Sequence, residues 1–369
     1  MLYRRRRYFA VLTLLLLALP MLVEIVRPDS KALSPDEARE LAAAPRFPVG
    51  MKAWVRIPEQ LDAYFRDHFG LRDVFIRAEA LLSNNLHQNG NASVLVGSDG
   101  RMFFRGDDMV RQSAGLILRV QKVAEAADRL AAMKSKLAAR GVRFLVASPP
   151  NSATIYQDQL PIWARNHGQR TEYDVFLDDL AARGVPAVDL RPALRAAREQ
   201  GKVYYLHDTH WTPRGALAGF GAVVEAAGHP DWRLDATSAL GPSATRKGGD
   251  LARMLGLGDY VAEPDEALKL PPGKRELLSP EPFGAYQETV DRPGPTIMII
   301  GDSFTEWRFA PMPLQHAARI VWVYHGFCSF DWTWIDQFRP DEVWWMTTER
   351  SILCKAAGRP SSSDATAPQ

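Results

Sequence analysis

Residues 296–304 read TIMIIGDSF, a short apolar run that ends in a Gly-Asp-Ser sequence. Such a run is typical of a strand that is buried on both faces of a sheet. Gly301 permits a tight turn, and a serine at that turn exposes its hydroxyl. The stretch predicts a buried strand with Ser303 at its carboxyl end, where ligands bind in open α/β sheets. A serine that only caps a helix after the strand is an equally good interpretation of these residues alone.

Helical patterns alternate with short apolar runs on both sides of this stretch. Helices that connect short, continuously apolar strands imply a parallel sheet with both faces covered. We therefore expect an open parallel α/β sheet of about five strands, with helices on both faces. The predicted strands lie at 142–147, 185–190, 296–300, 319–324 and 342–347.

The composition fits a folded domain. The chain has 369 residues, 46% of them apolar and 24% charged, which allows a sizeable core and excludes a fully disordered chain. Its 45 basic and 43 acidic residues nearly balance, which argues against nucleic acid as a partner. Four of the basic residues are the arginines at 4–7, so the rest of the chain is slightly acidic.

Those arginines precede an apolar run at 8–26. As a helix, the run is about long enough to span a hydrocarbon core of roughly 30 Å. Basic residues stay on the cytoplasmic side, so the rest of the chain is expected on the other side. No small-x-small cleavage site follows, which favours an uncleaved signal anchor over 1–26 rather than a cleaved signal peptide.

Four regions follow from the pattern of composition. Residues 27–50 are rich in proline and alanine and predict a linker, and 358–369 predict a disordered tail. Between them, 51–357 are predicted to form the catalytic domain. Cys328 and Cys354 could form a disulfide in an exported chain or remain buried free thiols.

A second group of reactive side chains lies at 205–213, which read YLHDTHWTP. Thr-Pro is typical of a helix N-cap and first turn, so Asp208 and His210 are expected on the loop before a helix. Asp208 could accept a hydrogen bond from Nδ1 of His210, leaving Nε2 to take a proton from a serine. Because serine alone is a poor nucleophile, we predict a triad of Ser303, His210 and Asp208.

Other interpretations of this segment stay open. His207, Asp208 and His210 could bind a metal ion, but no other compact group of ligand-type residues accompanies them, and we predict no metal. Asp208 could instead cap the loop that follows it. The base could also be a histidine elsewhere in the chain, namely His87, His167 or His316.

The two motifs together resemble the alginate O-acetyltransferase family of the AlgJ and AlgX type. These are SGNH hydrolase-like proteins in which the Asp-x-His element precedes the nucleophile. The resemblance covers most of the exported part, and the N-terminal anchor is similar to the AlgJ type. The segments that carry it are DTHWT at 208–212, GDSF at 301–304, YFRDHFGLR at 64–72, PNSATIY at 150–156, GDL at 249–251 and ER at 349–350.

The resemblance implies an acetyl-enzyme mechanism with Ser303 as nucleophile, His210 as general base and Asp208 as its orienting partner. It implies no cofactor, since the acetyl group comes from a membrane-bound O-acyltransferase or a small acetyl ester. The acceptor would be an exported polysaccharide such as alginate or cellulose, handled with a secretion complex. The catalytic domain would lie in the periplasm, anchored in a bacterial inner membrane. An acetyl esterase and a non-catalytic polysaccharide-binding or assembly protein are the competing functions.

Further residues are expected to complete the site. SGNH enzymes usually take oxyanion donors from a Gly and an Asn in two further blocks, and the N–H of Ser303 is another expected donor. Ring faces suit the apolar C–H faces of sugars, and a guanidinium suits an anionic sugar. The candidate oxyanion or substrate-binding residues are Gly326, Asn151, Trp211, Trp307 and Arg308.

Overall fold

The computed structural model describes residues 13, 33–34, 39–40, 57–67, 90–91, 93–280, 284–306, 308–326 and 330–353. The predicted anchor (apart from Thr13), most of the linker, the tail, both cysteines and Trp307 lie outside these residues. None of the helices in the described part is long and apolar enough to cross a membrane.

The secondary structure is numbered in chain order. The strands are β1 (Leu33–Ser34), β2 (Arg39–Glu40), β3 (Val94–Val96), β4 (Met102–Phe104), β5 (Arg143–Val146), β6 (Leu240–Lys247), β7 (Ala262–Leu268), β8 (Lys274–Leu277), β9 (Tyr286–Thr289), β10 (Thr296–Gly301), β11 (Arg319–Tyr324) and β12 (Glu342–Met346). The helices are α1 (Ile57–Asp67), α2 (Met109–Ser113), α3 (Val120–Ala138), α4 (Ser152–Ile155), α5 (Glu172–Ala182), α6 (Arg191–Arg198), α7 (Pro213–Ala226), α8 (Ala236–Ala239), α9 (Asp250–Met254), α10 (Ser303–Glu306) and α11 (Thr333–Phe338).

The chain divides into two compact units. The first unit comprises 1–96 and 247–262 and holds the antiparallel pair β1–β2, α1, β3 and α9. The second unit comprises 97–246 and 263–369 and contains the central sheet. All the candidate site residues within the described part belong to this second unit.

The central sheet has six strands in the order β5-β12-β10-β11-β9-β8. The first four are parallel, whereas β9 runs antiparallel to β11 and β8 antiparallel to β9. The predicted open parallel sheet of about five strands is therefore confirmed in part: four of the six strands are parallel, but the sheet is mixed because β8 and β9 are antiparallel. The residues of β8 are exposed and mostly charged, which is typical of a protected edge strand and gives no apolar signal.

The predicted strand at 185–190 is also wrong. This segment forms only an isolated bridge, in which Ala187 lies opposite Val146 of β5. Pro186 accepts a hydrogen bond from the N–H of Val146 through its carbonyl, and the N–H of Val188 donates to the carbonyl of Val146. Because Pro186 has no N–H to donate, the segment cannot extend this pairing into a full edge strand.

Both faces of the parallel part are packed, as the continuous apolar runs predict. On one face, Met298 of β10 and Val343 of β12 share a core cluster with Leu130 of α3 and Phe176 of α5. On the other face, the buried ring of Trp344 contacts Phe309, which in turn meets Phe220 of α7. Because successive side chains of a strand point to opposite faces, each strand contributes residues to two separate apolar layers.

The carboxyl ends of the parallel strands are tied together at one edge of the sheet. After β12, the N–H of Thr348 donates to the Asp302 side chain over 2.9 Å, and the N–H of Glu349 donates to the carbonyl of Pro149 over 2.8 Å. After β11, the N–H of His325 donates to the carbonyl of Gly301 over 3.0 Å. The loops that follow β5, β10, β11 and β12 therefore meet beside Ser303.

Candidate active site

Ser303 is the first residue of α10 and follows the tight turn at the end of β10. The two carboxylate oxygens of Asp302 accept hydrogen bonds from the N–H groups of Phe304 (3.1 Å) and Thr348 (2.9 Å). A Cβ added to Gly301 would lie 2.1 Å from Oγ1 of Thr305, so only glycine fits at the end of the strand. These constraints fix the backbone on both sides of Ser303.

Asp208, His210 and Ser303 form a continuous hydrogen-bonded chain. Nε2 of His210 lies 2.9 Å from Oγ of Ser303, and its Nδ1 lies 2.6 Å from Oδ1 of Asp208. The same Oδ1 accepts the backbone N–H of His210 over 3.0 Å. Because a carboxylate only accepts, Nδ1 carries the proton, and Nε2 is left to accept from the Ser303 hydroxyl. The arrangement can therefore deprotonate the serine as it attacks a carbonyl carbon.

The loop that carries Asp208 and His210 is closed by backbone bonds at its base. The N–H of Tyr205 donates to the carbonyl of His210, and the N–H of Thr212 to that of Val203. Thr212 also caps α7, where its side chain accepts the N–H of Gly215, so the predicted helix start is confirmed. At the tip, the Glu263 side chain accepts the N–H groups of residues 206 and 207. The loop is thus held at both ends.

A buried ion pair supports the orienting carboxylate. Asp208 is only 2% exposed, and Nη2 of Arg246 donates to its Oδ2 over 2.6 Å. Burial by itself would raise the pKa of Asp208. The hydrogen bonds from His210 and Arg246 and the positive charge of Arg246 outweigh that effect and hold this pKa well below its usual range. Asp208 therefore stays ionised and can stabilise a positive charge on His210 during proton transfer.

The hydroxyl of Ser303 opens into a cleft of about 280 Å³. Its walls combine charged side chains with aromatic residues whose rings are almost fully buried. The lining residues are Tyr205, His210, Trp211, Arg246, Ser303, Phe304, Glu306 and Arg308.

Arg308 lies in the cleft as predicted, but its charge is paired. Its Nη2 donates to Oδ2 of Asp265 over 2.9 Å, and its side chain is 31% exposed. The hydroxyl of Tyr205 donates to the other oxygen of Asp265 over 2.5 Å. An anionic group bound by Arg308 would therefore have to share this guanidinium with Asp265.

Trp211 has a different environment from the one expected. Its indole is 1% exposed, its Nε1–H donates to the carbonyl of Phe304 over 2.8 Å, and its ring stacks on Phe309. It therefore contributes to the wall of the cleft but presents almost no ring face for a sugar to stack on. The neighbouring candidate, Trp307, lies outside the described residues.

Neither of the candidate oxyanion donors after β5 and β11 is among the residues that line the cleft. The Asn151 side-chain amide donates to Gln112 and Ser113, within a buried polar network. The N–H of Asn151 donates to the Glu349 carboxyl, whose complete burial raises its pKa to about 7. Gly326 adopts a positive φ of 57° directly after β11. Oxyanion roles for Asn151, Gly326 and the N–H of Ser303 stay predictions.

The other histidines considered as bases have different neighbours. Nε2 of His167 lies 3.0 Å from the carbonyl of Ile162, and His316 stacks on the ring of Trp232. His207 pairs with Glu263 at 3.4 Å, and His87 lies outside the described residues. His210 is the histidine that contacts Ser303.

The sequence gives no signal for three of the residues that line the cleft, namely Tyr205, Arg246 and Glu306. Arg246 lies in a polar strand, and Glu306 is the last residue of α10. The contacts of Arg246 with Asp208 and of Tyr205 with Asp265 depend on the pairing of β6 with β7, which no motif marks.

Comparisons with known proteins place the chain among SGNH-like proteins. A family model described as "SGNH hydrolase-like domain, acetyltransferase AlgX" matches residues 94–325. A probable alginate O-acetylase AlgJ of Pseudomonas aeruginosa is 23% identical over 273 residues, which are 69% of this chain and 66% of that protein. The chain thus spans just under two thirds of that relative's length.

Two solved structures share the fold. PatB1 of Bacillus cereus superposes with a TM-score of 0.54 at 12% identity, covering 72% of this chain and 99% of PatB1. A DHHW family protein of Eubacterium siraeum gives a TM-score of 0.51 at 16% identity, with coverages of 71% and 93%. At this identity the likeness extends to the fold alone.

Proposed function

Because the chain belongs to the family of the SGNH hydrolase-like domain of the acetyltransferase AlgX, we propose that it is a polysaccharide O-acetyltransferase. One observation carries this proposal: Oγ of Ser303 lies 2.9 Å from Nε2 of His210, whose Nδ1 is held 2.6 Å from the ionised Asp208. The relative named a probable alginate O-acetylase supports a polysaccharide as the acceptor.

The reaction proceeds in two transfers through Ser303. In the first, His210 takes the proton of the serine hydroxyl as Oγ attacks the acetyl carbonyl, and then gives that proton to the departing donor group. In the second, a sugar hydroxyl attacks the acetyl-serine ester and loses its proton to His210. Collapse of the intermediate breaks the Oγ–acetyl bond, and the proton returns to Ser303. The acceptor leaves with one acetyl ester, and the enzyme is unchanged.

The cleft supports a sugar residue as the acceptor. Arg308 lines the cleft beside the serine with a side chain that is 31% exposed, and a guanidinium suits the oxygens of a saccharide. The acceptor polysaccharide is alginate, cellulose or another exopolysaccharide, each of which offers hydroxyl groups to the same chemistry.

The sequence outside the described residues supports a location at the membrane. Residues 1–26 act in this proposal as an inner-membrane anchor that keeps the catalytic domain in the periplasm. A membrane-bound O-acyltransferase supplies the acetyl group, and a secretion complex supplies the polysaccharide. Alkaline phosphatase fused after residue 50 should be active in cells, and an inactive fusion would contradict this placement.

The decisive experiment measures transfer rather than acetate release alone. The full chain is incubated with p-nitrophenyl acetate and oligosaccharides of alginate, of cellulose and of other glycans, and the sugars are examined by mass spectrometry. We expect acetylated sugar with the wild type and with Ser243→Ala, an exposed serine, but none with Ser303→Ala.

The other outcomes identify the competing functions. Ser303-dependent acetate release with no acetylated sugar for any acceptor would replace the transferase with an acetyl esterase. Ser303→Ala that leaves polysaccharide acetylation in cells unchanged would indicate a non-catalytic binding or assembly protein.

A further inference from the structure

The carboxylate of Asp208 is shared between the base and an arginine. Its Oδ1 accepts the Nδ1–H and backbone N–H of His210, and its Oδ2 accepts Nη2 of Arg246 over 2.6 Å. We propose that Arg246 is a positioning residue for the acetyl transfer, which fixes the Asp208 carboxylate so that the carboxylate can orient His210. This inference rests on the proposed function only in assuming that Ser303 is acylated.

The bond from Arg246 restricts the one rotation that would disturb the base. A carboxylate on a short side chain can turn about its Cβ–Cγ bond, and such a turn would draw Oδ1 away from His210. Because Arg246 binds Oδ2 on the opposite side of the carboxylate, any turn must break a charge-assisted hydrogen bond. The imidazole of His210 is thereby held with Nε2 towards Ser303.

Arg246 is itself held in place by the ring of Tyr205 and by the pairing of its strand. Its guanidinium carbon lies 4.4 Å from the centre of the Tyr205 ring, which is 1% exposed. The hydroxyl of Tyr205 donates to Asp265 on β7, the strand that pairs with the β6 strand of Arg246. The cation–π contact and the strand pairing therefore restrict Arg246 before any substrate arrives.

The positive charge of Arg246 is needed to compensate the buried negative charge of Asp208. Asp208 is almost fully buried, and a buried carboxylate without a counter-charge is costly. His210 cannot supply that charge in the resting enzyme, because its Nε2 must be unprotonated to accept from Ser303. Arg246 provides a permanent positive charge, since guanidinium remains protonated.

Arg246 also lines the cleft, so a direct role in binding the acceptor is the competing interpretation. One observation favours positioning: Nη2 of Arg246 already donates to Asp208 over 2.6 Å. Arg308 provides a matched comparison, because it lies over the same Tyr205 ring and lines the same cleft but pairs with Asp265.

The first test follows acylation of Ser303 in the full chain with p-nitrophenyl acetate as the probe. Arg246→Ala should lower the first-order acylation rate constant by roughly ten- to one-hundred-fold, as for loss of other outer partners of a site. The half-saturating probe concentration should stay near that of the wild type. Added guanidinium chloride, at concentrations that do not unfold the protein, should restore part of the rate. Arg246→Lys should give an intermediate rate.

Arg233→Ala is the control for nonspecific effects of guanidinium. Arg233 is exposed and pairs with the exposed Glu225, so this variant should acylate at the wild-type rate with and without added guanidinium. Melting curves show which variants fold, and Arg246→Lys carries the test if the alanine variant does not.

The second readout needs no turnover. The proton between Nδ1 of His210 and Asp208 should give a low-field proton resonance, which the wild type and Arg308→Ala retain. Arg246→Ala, or Arg246→Lys if the alanine variant is unfolded, should weaken or shift that resonance. An unchanged resonance together with an unchanged acylation rate would overturn the proposal. A defect confined to the half-saturating concentration of the sugar acceptor would also overturn it, in favour of direct acceptor binding.

These readouts separate the inference from the proposed function. If Ser303 is acylated in an Arg246-dependent manner but no sugar is acetylated, the transferase proposal fails and the positioning role stands. If the wild type forms no acyl-serine, the transferase proposal fails, and the low-field resonance alone decides on Arg246.

Discussion

The indole N–H of Trp211 donates a hydrogen bond to the carbonyl oxygen of Phe304 over 2.8 Å. Trp211 directly follows His210, and Phe304 directly follows Ser303, so this bond joins the two halves of the candidate site next to their reactive residues. The ring of Trp211 also contacts the ring of Phe304 at 5.8 Å. The distance between base and nucleophile is therefore set by a buried tryptophan as well as by the triad itself.

Trp211→Phe should weaken both stability and acylation. Phenylalanine keeps most of the apolar packing but leaves the Phe304 carbonyl without its donor, which costs about 1–3 kcal/mol of the free energy of unfolding for a buried acceptor. Urea denaturation measures the stability, and p-nitrophenyl acetate measures acylation, which should fall by more than the unfolded fraction explains. Trp163→Phe, at a position that is 57% exposed, is the control. A wild-type acylation rate in Trp211→Phe would contradict this role.

Loss of the triad members should be severe and not additive. Ser303→Ala, His210→Ala and Asp208→Ala should each lower turnover by on the order of a thousandfold or more, because the three residues transfer one proton as a unit. The double variant of Ser303 and His210 should be about as active as the worse of the two single variants. Steady-state kinetics of folded variants check this expectation, and multiplicative losses would show that the residues act separately.

Gly301→Ala should disturb the nucleophile turn. The new Cβ would lie 2.1 Å from Oγ1 of Thr305, whose hydroxyl also donates to the carbonyl of Asp302 and thereby supports the turn. We expect a loss of stability of about 1–3 kcal/mol from overpacking, together with slower acylation. Gly221→Ala in α7 is the matched control, since its added Cβ would meet only ordinary contacts beyond 3.5 Å. The control should be neutral or slightly stabilising.

Glu349 should make the stability fall as the pH rises from about 4.5 to 7. Its burial raises the pKa from 4.5 to about 7 in the folded chain, so the folded state binds the proton more tightly than the unfolded state. The stabilisation by protonated Glu349 is complete below the unfolded pKa and is lost as the pH passes through the folded pKa, by at most about 3 kcal/mol. Glu349→Gln should remove this part of the slope.

Urea titrations of wild type and Glu349→Gln across this pH range measure the difference in their unfolding free energies. Glu225→Gln, at an exposed carboxylate, should leave the slope unchanged. A constant difference between wild type and Glu349→Gln would show that Glu349 does not titrate in this window.

The parallel strands were predictable because each is buried on both faces and is therefore continuously apolar. Residues 296–300 and 319–324 agree closely with β10 and β11. The antiparallel strands β8 and β9 could not be found in this way. Apart from the buried Tyr286, their residues are exposed or half-buried and show no period-2 pattern. The pairing that makes the sheet mixed is determined by tertiary contacts.

The proximity of the candidate triad residues was predictable because the roles proposed for them demand particular residue types. Ser303, His210 and Asp208 are brought together over 93 residues, as the motifs and the family resemblance suggested. Arg246 was not predictable, since an arginine that supports a carboxylate looks in sequence like any exposed arginine. The burial of the Trp211 ring could not be predicted either, because the sequence does not show whether an aromatic side chain packs in the core or lines a cleft.

The strand order also determines when during synthesis the site can form. Within the central sheet β5 pairs with β12, which is the last strand among the described residues and lies between β5 and β10. A nascent chain that has not yet reached residue 342 lacks the strand that joins β5 to β10, whichever helices have already formed. The backbone bond from Thr348 to Asp302 is later still. The ribosome therefore completes almost the whole domain before the serine can be held against its base, and premature termination near the C-terminus should yield an inert protein rather than a partly active one.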